Sequence, residues 1–140
     1  MFNSILVAFD NQAQSKKALD MAIEVAKKFE ANIYLVTAIS VPAASKHELL
    51  DYKIDDQVRK YIEEALKATA EEVEKEGVKV EPKVLYDLPG EAIVQYAKDK
   101  NVNLIVIGSN NRNALGRMFL GSVSNYVVHN AHSPVMVIKE

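Results

Sequence analysis

The 140-residue sequence has no cysteine and no tryptophan. Without a thiol there is no disulfide, thiolate metal site or cysteine nucleophile to consider, and the composition fits a reducing compartment, so the cytoplasm is the expected location. No apolar run approaches the roughly 20 residues that would cross a bilayer, so no membrane role is expected. Nor does Met1-Phe2-Asn3-Ser4-Ile5 show the basic region and cleavage site of a secretory signal; it runs directly into an apolar, strand-like segment. Excess charge is scarce too. The 17 basic and 19 acidic side chains leave a net −2, which argues against a nucleic-acid surface that works by broad phosphate neutralisation. Glycine and proline number only five and four, and there is no internal repeat, low-complexity tract or linker.

What the chain does have is 49% hydrophobic residues, enough for a sizeable core within one domain spanning residues 1–140. Ser4 to Phe9 is apolar almost without alternation, the pattern of a strand buried on both faces of a parallel sheet. From Ser15 to Glu30, Ala18, Leu19, Ala22, Ile23, Ala26 and Phe29 recur at helical spacing, with lysines and glutamates largely opposite. Ile33 to Ile39 reads as a second strand, and the loop from Ser40 to Tyr52 follows it. A helix is predicted over Ile54 to Lys75, with Val58, Tyr61, Ile62, Ala65, Leu66, Thr69 and Val73 as its core stripe and Gly77 at its C-terminal cap. Val78 to Leu85 predicts a third strand, and Pro89 suits the first turn of a helix that carries Ile93, Val94 and Ala97 on one side. Leu104 to Ile107 is the clearest buried strand. A last helix is predicted from Ser122 to about Asn130, and a last strand over Val135 to Ile138. The order β-α-β-α-β-α-β-α-β demands an α/β, doubly wound, mostly parallel sheet with right-handed crossovers and helices on both faces.

In such a sheet, ligands bind outside the carboxyl ends of the strands where the winding reverses. Two segments are candidates to meet there, Asp10 to Gln14 and Gly108 to Leu120. Three of the five glycines, Gly108, Gly116 and Gly121, fall between residues 108 and 121, and glycine permits both positive φ and close backbone approach. Ser109, Asn110, Asn111, Arg112 and Asn113 add polar donors. Gly121-Ser122 then opens a helix, whose unpaired N–H groups and positive dipole end suit an anion such as phosphate. The plainer alternative is that Gly108 and Gly121 only shape a strand-to-helix connection, with Ser122 as a cap for its own helix. Both readings stand on the residues alone.

Other candidates divide in the same way. Arg112 and Arg117 have the chemistry to bond phosphate or to sit as exposed loop arginines. Asp10 has the chemistry to orient a ribose hydroxyl or hold a phosphate-bound Mg²⁺, or to cap its own turn. His129 and His132 stand near a helix C-terminus, where the dipole accounts for them, and no third ligand accompanies them. A dinucleotide fingerprint is missing after the first strand, where Phe9-Asp10-Asn11-Gln12-Ala13 has no glycine. No phosphate-loop lysine motif, nucleophile elbow or acid–base pair is identifiable either, so an ATPase has no nameable general base.

Gly108 and Gly121-Ser122 stand at the first and last positions of a glycine, two residues, glycine, nine residues, glycine-serine pattern, and through them the chain resembles the universal stress proteins. The resemblance extends over the whole chain. Ile5 to Asp10 looks like the family's first strand with its terminal aspartate, while Leu120 to Ser124 and Ser133 to Ile138 look like its closing helix start and last strand. This likeness implies a Rossmann-like five-stranded sheet of order 3-2-1-4-5, a homodimer formed through the last strand and, in one branch of the family, bound ATP. Carried over by position, Asp10 and Ala8 would border the ribose and base, and Ala38 would offer backbone groups to adenine. Ile107 and Gly108 would lie beneath it, with Gly121, Ser122 and Val123 holding the phosphates. The function so implied is adenine-nucleotide binding in a stress-response regulator; the alternative is a nucleotide-free dimeric interaction module of the same fold.

Two positions depart from the family pattern. Asn111 replaces the motif's second glycine, and Ala8 stands where ATP-binding members usually have proline. An asparagine side chain occupies space that a β- or γ-phosphate would use, which points to AMP or ADP in preference to ATP. Asn111→Gly is therefore expected to tighten ATP more than AMP in calorimetric titrations, and an equal effect on both would reject the steric account.

Overall fold

A computed structural model describes residues 2–10, 13–40, 56–109 and 121–139. Along these run β1 (Ser4–Ala8), α1 (Ala13–Phe29), β2 (Asn32–Ile39), α2 (Asp56–Glu74), β3 (Val80–Tyr86), α3 (Pro89–Asp99), β4 (Leu104–Gly108), α4 (Ser122–Asn130) and β5 (Val135–Ile138). The five strands form one sheet of order β3-β2-β1-β4-β5, and every pairing is parallel. The expected doubly wound, Rossmann-like architecture is therefore what the chain adopts, in the strand order that the family resemblance implied.

The apolar runs become strands because side chains from both sheet faces find cover. Alternate residues of β1 point oppositely. Ile5, Val7 and Phe9 enter a core built with α1 and α2, whereas Leu6 and Ala8 enter a second core built with α3 and α4. On the first face Ala18, Leu19, Ala22, Ile23 and Ala26 of α1 meet Leu66, Ala70 and Val73 of α2 over the sheet. On the second, Ile93, Val94 and Ala97 of α3 and Val127 of α4 cover Val36, Ile105 and Ile107. At about 25 cal/mol per Å² of apolar area removed from water, these two layers supply the main force for folding.

The amino ends of the central strands are tied locally. Asn103 accepts hydrogen bonds from the N–H groups of Asn3 and Ser4 through its side-chain carbonyl, at 2.8 and 3.0 Å, which joins the starts of β1 and β4. Gly77, with φ of +90°, closes the connection after α2 as the sequence predicts, and its N–H donates to the Glu74 carbonyl. Pro82 lies in β3, where an edge strand tolerates the missing donor.

The predicted core stripe on the helix after the loop requires correction. Leu66, Ala70 and Val73 are buried, but Val58, Tyr61 and Ala65 are exposed, Tyr61 at 74%. The reason is position: α2 packs chiefly on β3, the edge strand, and it is the later half of the helix that meets the sheet. Helical periodicity identifies a face but not how far the neighbouring layer extends beneath it. Ile54 and most of the loop from Ser40 to Tyr52 lie outside the described residues.

Candidate functional site

The strand order puts β2 on one side of β1 and β4 on the other, so successive crossovers leave in opposite directions from this point. A cleft of about 380 Å³ opens there, within the usual size for small-molecule sites. Its floor is largely apolar. Ala8 at the end of β1, Val36 and Ala38 of β2, and Ile107 and Gly108 of β4 supply it. Gln14 and Ser15 border it from α1, and Pro89 and Ile93 from α3. Gly121, Ser122, Val123 and Ser124 border it from the start of α4.

Of the ten residues that the sequence singled out, Ala8, Asp10, Ala38, Ile107, Gly108, Gly121, Ser122 and Val123 are brought together in this cleft. Asn111 and Arg112 lie outside the described residues, as do Arg117 and Gly116. The sequence reading missed Pro89 and Ile93. Pro89 was legible as a helix start, but only the crossover from β3 shows that this start reaches the same crevice.

Hydrogen bonds hold the strand ends that form the rim. The Phe9 N–H donates to the Val36 carbonyl at 2.8 Å, and the Thr37 hydroxyl donates to the Phe9 carbonyl at 2.7 Å. Asp10 is exposed, and its N–H donates to the Ser15 hydroxyl, which couples the end of β1 to the first turn of α1. On the far side the Ser109 N–H donates to the Ile138 carbonyl at 2.8 Å. The floor is thus the sheet itself, held by its own hydrogen bonds.

The first turns of α1, α3 and α4 all border the cleft. Each helix start carries N–H groups with no partner inside its own helix and a partial positive charge, so an anion gains about 0.3–1 kcal/mol per favourable terminus at an exposed site. At α4 the cap is Gly121, not Ser122, and among the described residues no side chain caps its first N–H groups. Ser122 is the first helical residue, which corrects the reading of it as a self-satisfying cap. The buried Ser124 hydroxyl instead donates to the Gly121 carbonyl, which also accepts from Asn125 N–H. These bonds fix the peptide that opens the helix.

Gly108 also acquires a different reason. Its φ is not among the positive values, and a Cβ there would stand 2.7 Å from the backbone carbonyl carbon and oxygen of Gln14. The absent side chain admits the first turn of α1 against the end of β4. Among the described residues, Asp10 is the only titratable side chain lining the cleft, and no cluster of three metal-ligating side chains occurs. Tyr86 and Tyr96 titrate above the ordinary phenol range, mainly through burial and then through Glu63 and Glu81 respectively; neither lines the cleft. No described helix is long and apolar enough to cross a membrane.

Comparison with known proteins places this geometry in context. Residues 1–139 match the sequence profile described as the Universal stress protein family. The chain is 34% identical over 146 residues to a universal stress protein of Methanocaldococcus jannaschii, covering 100% of this chain and 84% of the relative. A solved universal stress protein of Archaeoglobus fulgidus superposes with a TM-score of 0.79 at 26% identity, over 99% of this chain and 100% of that one. Another structure of the universal stress protein from the same organism, solved in complex with dAMP, gives 0.75 at 25% identity over 99% and 100%.

The packing at Gly108 makes a ligand-free prediction. Gly108→Ala is expected to lose about 1–3 kcal/mol in urea unfolding without any nucleotide, because the Gln14 backbone must retreat. A variant as stable as the parent chain would contradict the close approach.

Proposed function

The chain belongs to the universal stress protein family, and on that premise we propose that it is a stress-response regulator that binds an adenine nucleotide in the cleft after β1 and β4. One observation carries the reading: an apolar floor and a start of α4 that no side chain caps among the described residues share a single cleft of suitable size. A purine needs an apolar slot, and a phosphate needs convergent N–H donors. A similar solved protein of the family holds dAMP, which supports the same class of ligand here.

In this reading adenine lies near Ala8 and over Ile107 and Gly108, and the backbone at Ala38 recognises its edge. Asp10 bonds a ribose hydroxyl. The N–H groups of Gly121, Ser122 and Val123 receive the phosphates, with Arg112 and Asn111 acting from the connecting segment. AMP or ADP is favoured over ATP for the steric reason given for Asn111. Asp10, the only carboxylate that lines the cleft among the described residues, would help hold a phosphate-bound Mg²⁺. The role proposed is binding rather than turnover, within one domain working in the cytoplasm.

The proposed assembly is a homodimer through β5. This strand is a sheet edge, and all four of its residues, Val135 to Ile138, are apolar and only half-buried. Met21, Val25 and Phe29, spaced by four, leave α1 on the flank away from Lys27, which reaches Glu76 after α2. Met21 and Phe29 are 44% and 47% exposed, and α1 also packs on β5, so the uncovered apolar area adjoins the free edge. An unpaired edge of this kind is a template for a second strand.

Calorimetry with AMP, ADP and ATP, with and without Mg²⁺, tests the ligand. Binding heat is expected for AMP, and Gly121→Val is expected to abolish it while the dimer persists. Absence of heat and of any thermal shift at millimolar nucleotide would reject the reading and leave the nucleotide-free interaction module. The dimer is tested separately at Val137. The Ile138 carbonyl faces β4, so the N–H of Val137 faces outward. Val137→Pro removes that donor without breaking the internal ladder and is expected to halve the sedimenting mass; an unchanged dimer would exclude pairing through this edge.

A further inference from the structure

Gly90 occupies the second position of α3, where alanine would make the better helix former and where φ is not positive. Its value therefore lies in the missing side chain. A Cβ at Gly90 would stand 2.8, 2.9 and 3.0 Å from Cδ1, Cγ and Cβ of Tyr126 in α4. The last of these atoms is fixed to the α4 backbone, so turning the ring relieves the two shorter approaches but not this one. The helices themselves would have to part.

This contact lies just behind the cleft. Pro89 precedes Gly90, and Ile93 follows one turn later; both line the cleft from α3. Ser122 lies one turn before Tyr126 on the same side of α4 and lines the cleft opposite them. We propose that Gly90 and Tyr126 form a spacer that sets the distance between the first turns of α3 and α4 and thereby aims the α4 N–H groups at the ligand's phosphate. The inference rests on the nucleotide reading of the cleft. Both are positioning residues: Tyr126 is 37% exposed and neither lines the cleft, so they act through the helix starts.

Spacing and ligand are separable by experiment. Amide NMR spectra of the ligand-free protein, Gly90→Ala and Gly90→Ala/Tyr126→Ala report on α4 directly. Calorimetry of the same three proteins uses AMP and adenosine as paired probes. Gly90→Ala is expected to shift the Ser122 and Val123 amides and to weaken AMP about tenfold while weakening adenosine much less, since a sub-ångström misplacement falls on the phosphate donors. Alanine at 126 removes the two shorter contacts, at Cδ1 and Cγ, and leaves only the Cβ contact, so the double variant is expected to recover part of the AMP affinity. Unmoved α4 amides, equal losses for AMP and adenosine, or no recovery in the double variant would each overturn the spacer. If the parent chain binds neither probe, the nucleotide reading falls, and the amide comparison still decides the spacing.

Discussion

The reversal of winding beside β1 is the constraint on which the rest depends. A right-handed crossover from β1 to β2 carries its helix to one face, and the later passage to β4 on the other side brings helices to the opposite face. Since the two sets of helices leave β1 in opposite directions, nothing regular bridges the strand ends between them. The cleft is thus a product of topology. Its floor is made by residues that are also core, such as Ala8 and Ile107, and so it is held by the same packing that holds the fold.

Two forms of close packing refine that opening. Gly108 lets α1 approach β4, and Gly90 lets α3 approach α4. In both cases a missing Cβ brings a helix start to the rim, so three helix termini border one space. No single terminus contributes much to binding an anion, and salt screens the effect at an exposed surface. Selectivity must then come from combining these donors with the shape of the apolar floor. This is why small displacements of a helix start matter more to the proposed function than to stability.

Much of this was legible in the sequence because parallel strands covered on both faces announce themselves as unbroken apolar runs. Ile5 to Phe9 and Leu104 to Ile107 needed no tertiary knowledge, and the alternating element order left one architecture. The glycine pattern from Gly108 to Ser122 located the crevice, and eight of its proposed contributors do converge. What could not be read was anything set by distance across the fold. Gly108 suggested positive φ or close approach to a ligand, whereas the close approach in the structure is to the Gln14 backbone. Ser122 suggested a cap, whereas Gly121 takes that place. The exposed first half of α2 and the reach of α3 into the cleft depend on where a sheet ends and where a crossover lands, and periodicity within one helix carries neither.

The central claim is that the apolar floor and the start of α4 receive one adenine nucleotide between them. A crystal structure of the chain grown with AMP tests it most directly. The account predicts adenine against Ala8 and Ile107, a ribose hydroxyl on Asp10, and the phosphate within hydrogen-bond distance of the Ser122 and Val123 N–H groups. Well-ordered AMP bound elsewhere, or in the cleft with its phosphate turned away from α4, would contradict it.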